Sequence, residues 1–134
     1  MTAISALWGI GLGAAVFALA SKLAFDRDRS FYPTVMIVIA TYYTLFAVMA
    51  GNGRAITIET TVAVLFVLAA AAGHRWNPLI VAAALLAHGV YDFAHHLLFP
   101  DHGAPVWWPG FCGAIDVVLA VAAALAARSR KTTN

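Results

Sequence analysis

Five long apolar runs divide this chain and restrict what it can fold into. A helix needs about 20 mostly apolar residues to cross the ~30 Å hydrocarbon core of a bilayer, and each run has about that length. Open strands cannot satisfy their backbone hydrogen bonds in lipid. The sequence therefore predicts an all-α, polytopic membrane protein, a bundle of about five transmembrane helices in a single domain over residues 1–134. The predicted spans cover residues 3–24, 31–50, 55–72, 78–99 and 106–127.

The composition agrees with a membrane protein. Hydrophobic residues make up 63% of the chain and charged residues 10%, with a mean hydropathy of +0.85. A soluble domain has about 25% charged residues, so this chain cannot cover a water-exposed surface of normal polarity. Its basic residues do not form a patch interleaved with aromatic residues, which argues against a nucleic-acid partner. The expected partner is the lipid bilayer, and homo-oligomerisation is left open.

The loop charges predict an orientation. With five spans, one side of the membrane carries seven basic residues and the other side carries only Arg54. Because basic loops stay in the cytoplasm, the N-terminus is expected outside and the C-terminus in the cytoplasm of a multi-pass inner-membrane protein. The seven cytoplasmic basic residues are Lys22, Arg27, Arg29, Arg75, Arg128, Arg130 and Lys131.

Four titratable side chains interrupt the fourth apolar run: His88, Asp92, His95 and His96. A helix turns by about 100° per residue, which places all four on one stripe roughly 100° wide. Polar groups at membrane depth face the interior of a bundle and are functional by default. The sequence therefore predicts that this stripe points into the bundle, in the outer half of the membrane.

Three carboxylates lie inside the apolar runs, at Glu59, Asp92 and Asp116, and no Lys or Arg lies deep in any run to neutralise them. Each costs about 2.5–3.5 kcal/mol at the centre of a span. Protonation of the acids, charging of the histidines or a bound cation would each relieve that cost. Imidazole and carboxylate ligands suit a divalent metal, with zinc the first choice and iron, copper and manganese as alternatives. The competing interpretation is a metal-free hydrogen-bonding network that joins the helices.

The predicted site holds one metal ion. Its candidate ligands are His88, His95, His96, Asp92 and, from a short loop, His102, and the candidate general bases are Asp92, Asp116 and Glu59. A metal-bound water beside such a base can attack a carbonyl. The sequence therefore favours a metal-dependent, hydrolase-like membrane enzyme acting on a lipid or another apolar small molecule, although it leaves open whether the protein is an enzyme.

Two other functions remain open. The first is a non-enzymatic protein: either the bundle is a small scaffold subunit within a larger complex, or the histidines hold a haem or another pigment, which would require ligands from a second helix. A small proton-coupled transporter could pass protons through Asp92, His88 and Asp116. The chain lacks the inverted repeats on which many transporters are built.

The stretch from His88 to Asp116 resembles a group of small bacterial inner-membrane proteins of no established activity. These proteins carry a His-x3-Asp-x2-His-His helix, a Pro-rich loop and a Cys/Gly-rich helix with an aspartate. The chemistry is also similar to that of the ceramidase-like membrane hydrolases, whose zinc is bound by three histidines near an aspartate. That similarity implies a zinc-dependent membrane hydrolase. Those enzymes have seven spans with ligands on separate helices, whereas this chain has three of its histidines on one predicted helix. The positions that match the first group are 88, 92, 95, 96, 109, 112, 113 and 116.

Overall fold

The computed structural model describes residues 3–99 and 103–131, and these residues form helices joined by short loops. Within this part of the chain there is no strand, which confirms the predicted all-α class. A 3-10 turn at Phe25–Arg27 connects the first two helices. The helices are α1 (Ala3–Lys22), α2 (Phe31–Ala40), α3 (Tyr42–Met49), α4 (Gly53–Arg75), α5 (Leu79–Leu98) and α6 (Trp108–Lys131).

The second predicted span is two helices rather than one. It breaks at Thr41, whose hydroxyl donates a 2.7 Å hydrogen bond to the carbonyl of Val38. A threonine that bonds back to its own helix competes with the backbone ladder, which explains a break at this position. The two pieces still follow one another along the apolar segment Phe31–Met49.

In the part of the chain that the structure describes, four segments are long and apolar enough to cross a bilayer: α1, α2 with α3, α4 and α6. Helix α5 is 20 residues long but is not among them, because its three histidines and Asp92 lower its mean hydropathy. A helix of that length can reach across the hydrocarbon if its polar face is covered by other helices. The described residues therefore form a helical bundle typical of a multi-pass membrane protein, with five long helical segments.

Helix α6 is the central element, packed against α1 on one side and α5 on the other. Its contact with α1 depends on small residues. A Cβ at Gly9 would collide with the carbonyl of Phe111, and one at Gly13 would lie 3.0 Å from Val118. The later residue of α1 therefore meets the later residue of α6, so these two helices run in the same direction. Small residues allow this close approach in lipid, where helix association depends on packing.

The loops are fixed by local hydrogen bonds at both ends of the bundle. The side chain of Asn52 caps α4 by accepting a 3.1 Å hydrogen bond from the backbone of Ala55. At the opposite end, the guanidinium of Arg130 donates to the carbonyls of Asp26 and Asp28 in the loop before α2. The last helix is thereby tied to the connection between the first two.

Candidate metal centre

The buried face of α5 carries most of the polar side chains. His88, Asp92 and His95 lie one helical turn apart, and each is at most 3% exposed. They continue a buried stripe that begins with Val81 and Leu85 nearer the start of the helix. Spacings of three and four residues keep such side chains on one face of a helix. The face that looks apolar in the first half of α5 is therefore polar in the second half.

His88, Asp92 and Asp116 form the first of two groups in the bundle interior, here called the His88 group. The Nδ1 atom of His88 lies 2.7 Å from Oδ2 of Asp116 and 3.6 Å from Oδ2 of Asp92. One ligand atom from each residue lies within 4.8 Å of the other two. Because Asp116 belongs to α6, the group joins the two helices that pack most closely.

Three carboxylate oxygens of the His88 group have no hydrogen-bond donor. Within the described residues, no hydrogen bond is accepted by either oxygen of Asp92 or by Oδ1 of Asp116, although both side chains are fully buried. All described Lys and Arg side chains are exposed or only half-buried, so none supplies a charge at this depth. Buried polar atoms without partners are uncommon in proteins, and carboxylate oxygens in this situation are suited to bind a proton, a water molecule or a cation.

Two glycines bring the members of the His88 group together. A Cβ at Gly89 would lie 3.1 Å from the carbonyl of Gly113 and 3.2 Å from the Cβ of Asp116. A Cβ at Gly113 would lie 3.1 Å from the carbonyl of Gly89 and 3.2 Å from the Cβ of Asp92. Each glycine stands three residues before an aspartate of the group, so the missing side chains let α5 and α6 approach where the acids meet.

Glu59, Tyr91 and His95 form a second group, here called the Glu59 group. The Oε1 atom of Glu59 lies 2.9 Å from Nε2 of His95, and Oε2 accepts a 2.8 Å hydrogen bond from the hydroxyl of Tyr91. Glu59 is 1% exposed and belongs to α4. Unlike Asp92, this carboxylate has a donor at each oxygen, so its burial is compensated within the bundle.

Tyr43 of α3 lies between the two groups. Its ring stacks on the imidazole of His95 with centroids 3.9 Å apart and lies 6.3 Å from that of His88. Its hydroxyl, together with the thiol of Cys112, interacts electrostatically with Asp92. Neither makes a hydrogen bond of normal geometry with Asp92. Tyr43 and Cys112 therefore complete the immediate surroundings of that acid.

The predicted site residues do not form one site but are divided between the two groups. The structure brings His88, Asp92 and Asp116 together, and it pairs His95 with Glu59 in the neighbouring group. The stripe predicted from helical geometry also includes His96, but this side chain is exposed on α5 and joins neither group. The physical reason is that His96 is rotated by about 100° from His95, which occupies the inward position. His102 lies outside the described residues.

Sequence reasoning does not identify the glycines that position the acids. The sequence does contain a pattern that could identify these glycines. Each aspartate of the His88 group is the last residue of a Gly-x-x-Asp motif, Gly89–Asp92 in one case and Gly113–Asp116 in the other. A small residue one turn before a buried acid, on each of two helices, is what a close crossing at that acid requires.

Comparison of the chain with protein-family models, with curated proteins and with solved structures gives no match. The resemblances stated from the sequence therefore remain expectations, and the function has to be inferred from the chain's own residues.

Proposed function

We propose that this protein binds one divalent metal ion inside the membrane through His88, Asp92 and Asp116. The observation that carries the proposal is the set of three buried carboxylate oxygens without a hydrogen-bond donor beside one imidazole. A cation bound among them would compensate acids that no described Lys or Arg reaches. Neutral imidazole with carboxylate oxygens is a ligand set for zinc, manganese or iron, and zinc is the metal we favour.

We further propose that the ion supports hydrolysis of a lipid or another apolar small molecule. Three protein ligands leave the fourth position of a tetrahedral zinc for water, which is the arrangement of catalytic zinc sites. The bound water would attack the carbonyl carbon of an ester or amide while a carboxylate oxygen of Asp92 or Asp116 takes its proton. The bond from that carbon to the leaving group then breaks, and the leaving group receives the proton. Glu59, predicted as a third possible base, is instead engaged with Tyr91 and His95.

Elemental analysis of the purified protein tests the metal site. We expect about one ion per chain, since the group offers a single set of ligands. Asp92→Asn and Asp116→Asn should each lose most of the metal, because an amide oxygen is a weaker ligand than a carboxylate. His96→Gln is the matched control on the same helix and should retain the metal, since His96 is exposed. Metal-free wild-type protein with unchanged stability would support the hydrogen-bonding network instead.

Hydrolysis is tested separately, with the metal-loaded protein in lipid vesicles that contain a fluorogenic ester lipid. Release of the fluorophore should require the ion and should be lost in Asp116→Asn. Stoichiometric metal without any release would keep the binding site and contradict the enzymatic part of the proposal.

Proton transport is a second candidate function, favoured by the position of Tyr43 between the two groups. Protein reconstituted in liposomes would then conduct protons, and Asp92→Asn would abolish the flux. A flux that is insensitive to Asp92→Asn would dismiss this candidate. The haem interpretation has no comparable support, since Phe66 packs 4.8 Å from His88 and Tyr43 covers His95.

A further inference from the structure

An apolar groove runs along α6 on the side away from α5. Its floor is α6 and its walls are α1 and the α2–α3 segment, which both pack on α6 or its neighbours without packing on each other. Its volume is about 320 Å³, and no charged side chain lines it. Leu12 and Val38 on opposite walls are 47% and 49% exposed.

The length of the groove along α6 is about equal to the thickness of the hydrocarbon part of one membrane leaflet. It extends from Trp108 to Leu119 along α6, which at about 1.5 Å per residue is roughly 16 Å. The hydrocarbon core is ~30 Å thick, so one leaflet provides about 15 Å. All three helical segments that form the groove are apolar enough to cross a bilayer. It therefore opens to acyl chains rather than to water.

The dimensions fit a single acyl chain. A flexible hydrocarbon chain is slender enough to lie along the floor of the groove, between α1 and the α2–α3 segment. Its length also matches, because the acyl chain of a bilayer lipid spans one leaflet.

The groove approaches the His88 group through Cys112. This thiol lines the groove and interacts electrostatically with the carboxylate of Asp92. The next residue, Gly113, is close to the same acid, since a Cβ at Gly113 would lie 3.2 Å from the Cβ of Asp92. Cys112 lies one turn from Trp108, at the end of the groove where the aromatic pair of Tyr42 and Trp108 has ring centroids 4.9 Å apart. Aromatic rings of this kind are typical of the membrane interface, where the ester and amide groups of lipids are found.

We infer that this groove binds the acyl chain of a bilayer lipid and so places the ester or amide carbonyl of that lipid next to Cys112 and the His88 group. The inference rests on the proposed function, and it names the substrate class as an acyl lipid that enters sideways from the membrane. Tyr42 and Trp108 would border the carbonyl end, and Leu119 would lie near the end of the chain.

Photo-crosslinking of the reconstituted full chain tests this inference. The probe is a phosphatidylcholine with a diazirine near the middle of one acyl chain, in vesicles of unlabelled phosphatidylcholine. After irradiation and mass spectrometry, we expect the label to concentrate on the α6 stretch Phe111–Ile115. Leu12→Trp should fill the groove and reduce this labelling several-fold. Ile10→Trp is the matched control, because Ile10 is 48% exposed on the same helix but does not line the groove.

Two results would overturn the inference. One is labelling spread evenly over the lipid-facing helices and unaffected by Leu12→Trp. The other is a protein–protein crosslink at Phe111–Ile115, which would identify a second copy as the occupant. Both tryptophan variants should elute as the wild type in gel filtration, since both positions face lipid. If Leu12→Trp does not fold, Val38→Trp on the opposite wall gives the same information, because Val38 lines the groove and is 49% exposed. Labelling of Phe111–Ile115 that is unchanged in Val38→Trp would count against the groove.

The outcomes also separate this inference from the proposed function. Asp92→Asn should lose the metal but keep the labelling of α6, since the groove does not depend on the ion. Selective labelling in a wild-type protein without metal would contradict only the proposed function. Stoichiometric metal without selective labelling would contradict only the groove.

Discussion

At the scale of single residues, two buried carboxyl groups occupy unlike environments. Glu59 accepts hydrogen bonds from Tyr91 and His95, so its burial is compensated by the protein. Asp92 is equally buried, but neither of its oxygens has a donor among the described residues. An unsatisfied buried carboxylate costs far more than a paired one. Among the described residues, Asp92 is therefore the buried acid whose burial the protein leaves uncompensated, whereas that of Glu59 is compensated.

This difference predicts that Glu59→Gln and Asp92→Asn have opposite signatures. Glu59→Gln weakens two charge-assisted hydrogen bonds and should lower the free energy of unfolding by about 1–3 kcal/mol. It should leave the metal content unchanged, because Glu59 is not in the His88 group. Unfolding in detergent and elemental analysis measure the two effects, with the exposed Thr60→Ala as a control. Metal loss in Glu59→Gln would instead make Glu59 a ligand.

Tyr43 predicts a second contrast. Its hydroxyl has no hydrogen-bond partner among the described residues, whereas its ring stacks on His95. Tyr43→Phe keeps the ring and removes a hydroxyl that makes no such bond, so the free energy of unfolding should change by less than about 1 kcal/mol. Tyr43→Ala should lower it by about 3–5 kcal/mol, because it removes a buried aromatic ring. Equal losses in the two variants would mean that the hydroxyl, not the ring, stabilises the bundle.

At the scale of helices, the crossing of α5 and α6 determines whether the His88 group exists. Gly89 and Gly113 face each other across it, and a Cβ on either glycine would lie 3.1 Å from the backbone carbonyl of the other. A side chain at either position requires the neighbouring helix to shift by a few tenths of an ångström, and that shift would move an aspartate relative to His88. We therefore expect stability and the proposed metal binding to be coupled through two residues that offer no ligand.

Alanine at these glycines tests the coupling. Gly89→Ala and Gly113→Ala should each lower the free energy of unfolding by about 1–3 kcal/mol through overpacking. Each should also reduce the metal content. Gly11→Ala is the matched control, because a Cβ at Gly11 meets nothing within 4 Å, and it should behave as the wild type. Full metal content in both test variants would show that α5 and α6 adjust without separating the acids.

The sequence predicts the helices better than it predicts the contacts between them. Apolar length is a property of one segment, so the existence of the helices can be read from composition. The break at Thr41 depends on one side-chain hydrogen bond, so it cannot be read from composition. The division of the polar residues into two groups cannot be read from composition either, because it depends on which helix faces His88 and which faces His95. Helical geometry alone gives the stripe with His88, Asp92 and His95 but overextends it to His96.

At the scale of the whole molecule, the helices imply a definite path through the membrane. The parallel packing of α1 and α6 agrees with an odd number of crossings, in which the first and last helices enter from the same side. The basic loops then predict the direction, with the C-terminus in the cytoplasm. Arg130, which binds the loop between α1 and α2, is one of those basic residues.

Reporter fusions test this path. Green fluorescent protein after residue 134 should fluoresce, and alkaline phosphatase at the same position should be inactive, because the C-terminus is expected in the cytoplasm. Alkaline phosphatase inserted after Asn52, between α3 and α4, should be active and serves as the internal control. An active phosphatase at the C-terminus would reverse the orientation and place the polar groups nearer the cytoplasmic surface.

The central position of α6 has a consequence for biogenesis. Among the described helices α6 comes after all the others, so α5 can enter the bilayer with His88 and Asp92 before Asp116 arrives on α6. During that interval the polar face of α5 has no partner from α6, and exposing it to lipid would be costly. The His88 group can therefore form only once α6 has inserted between α1 and α5.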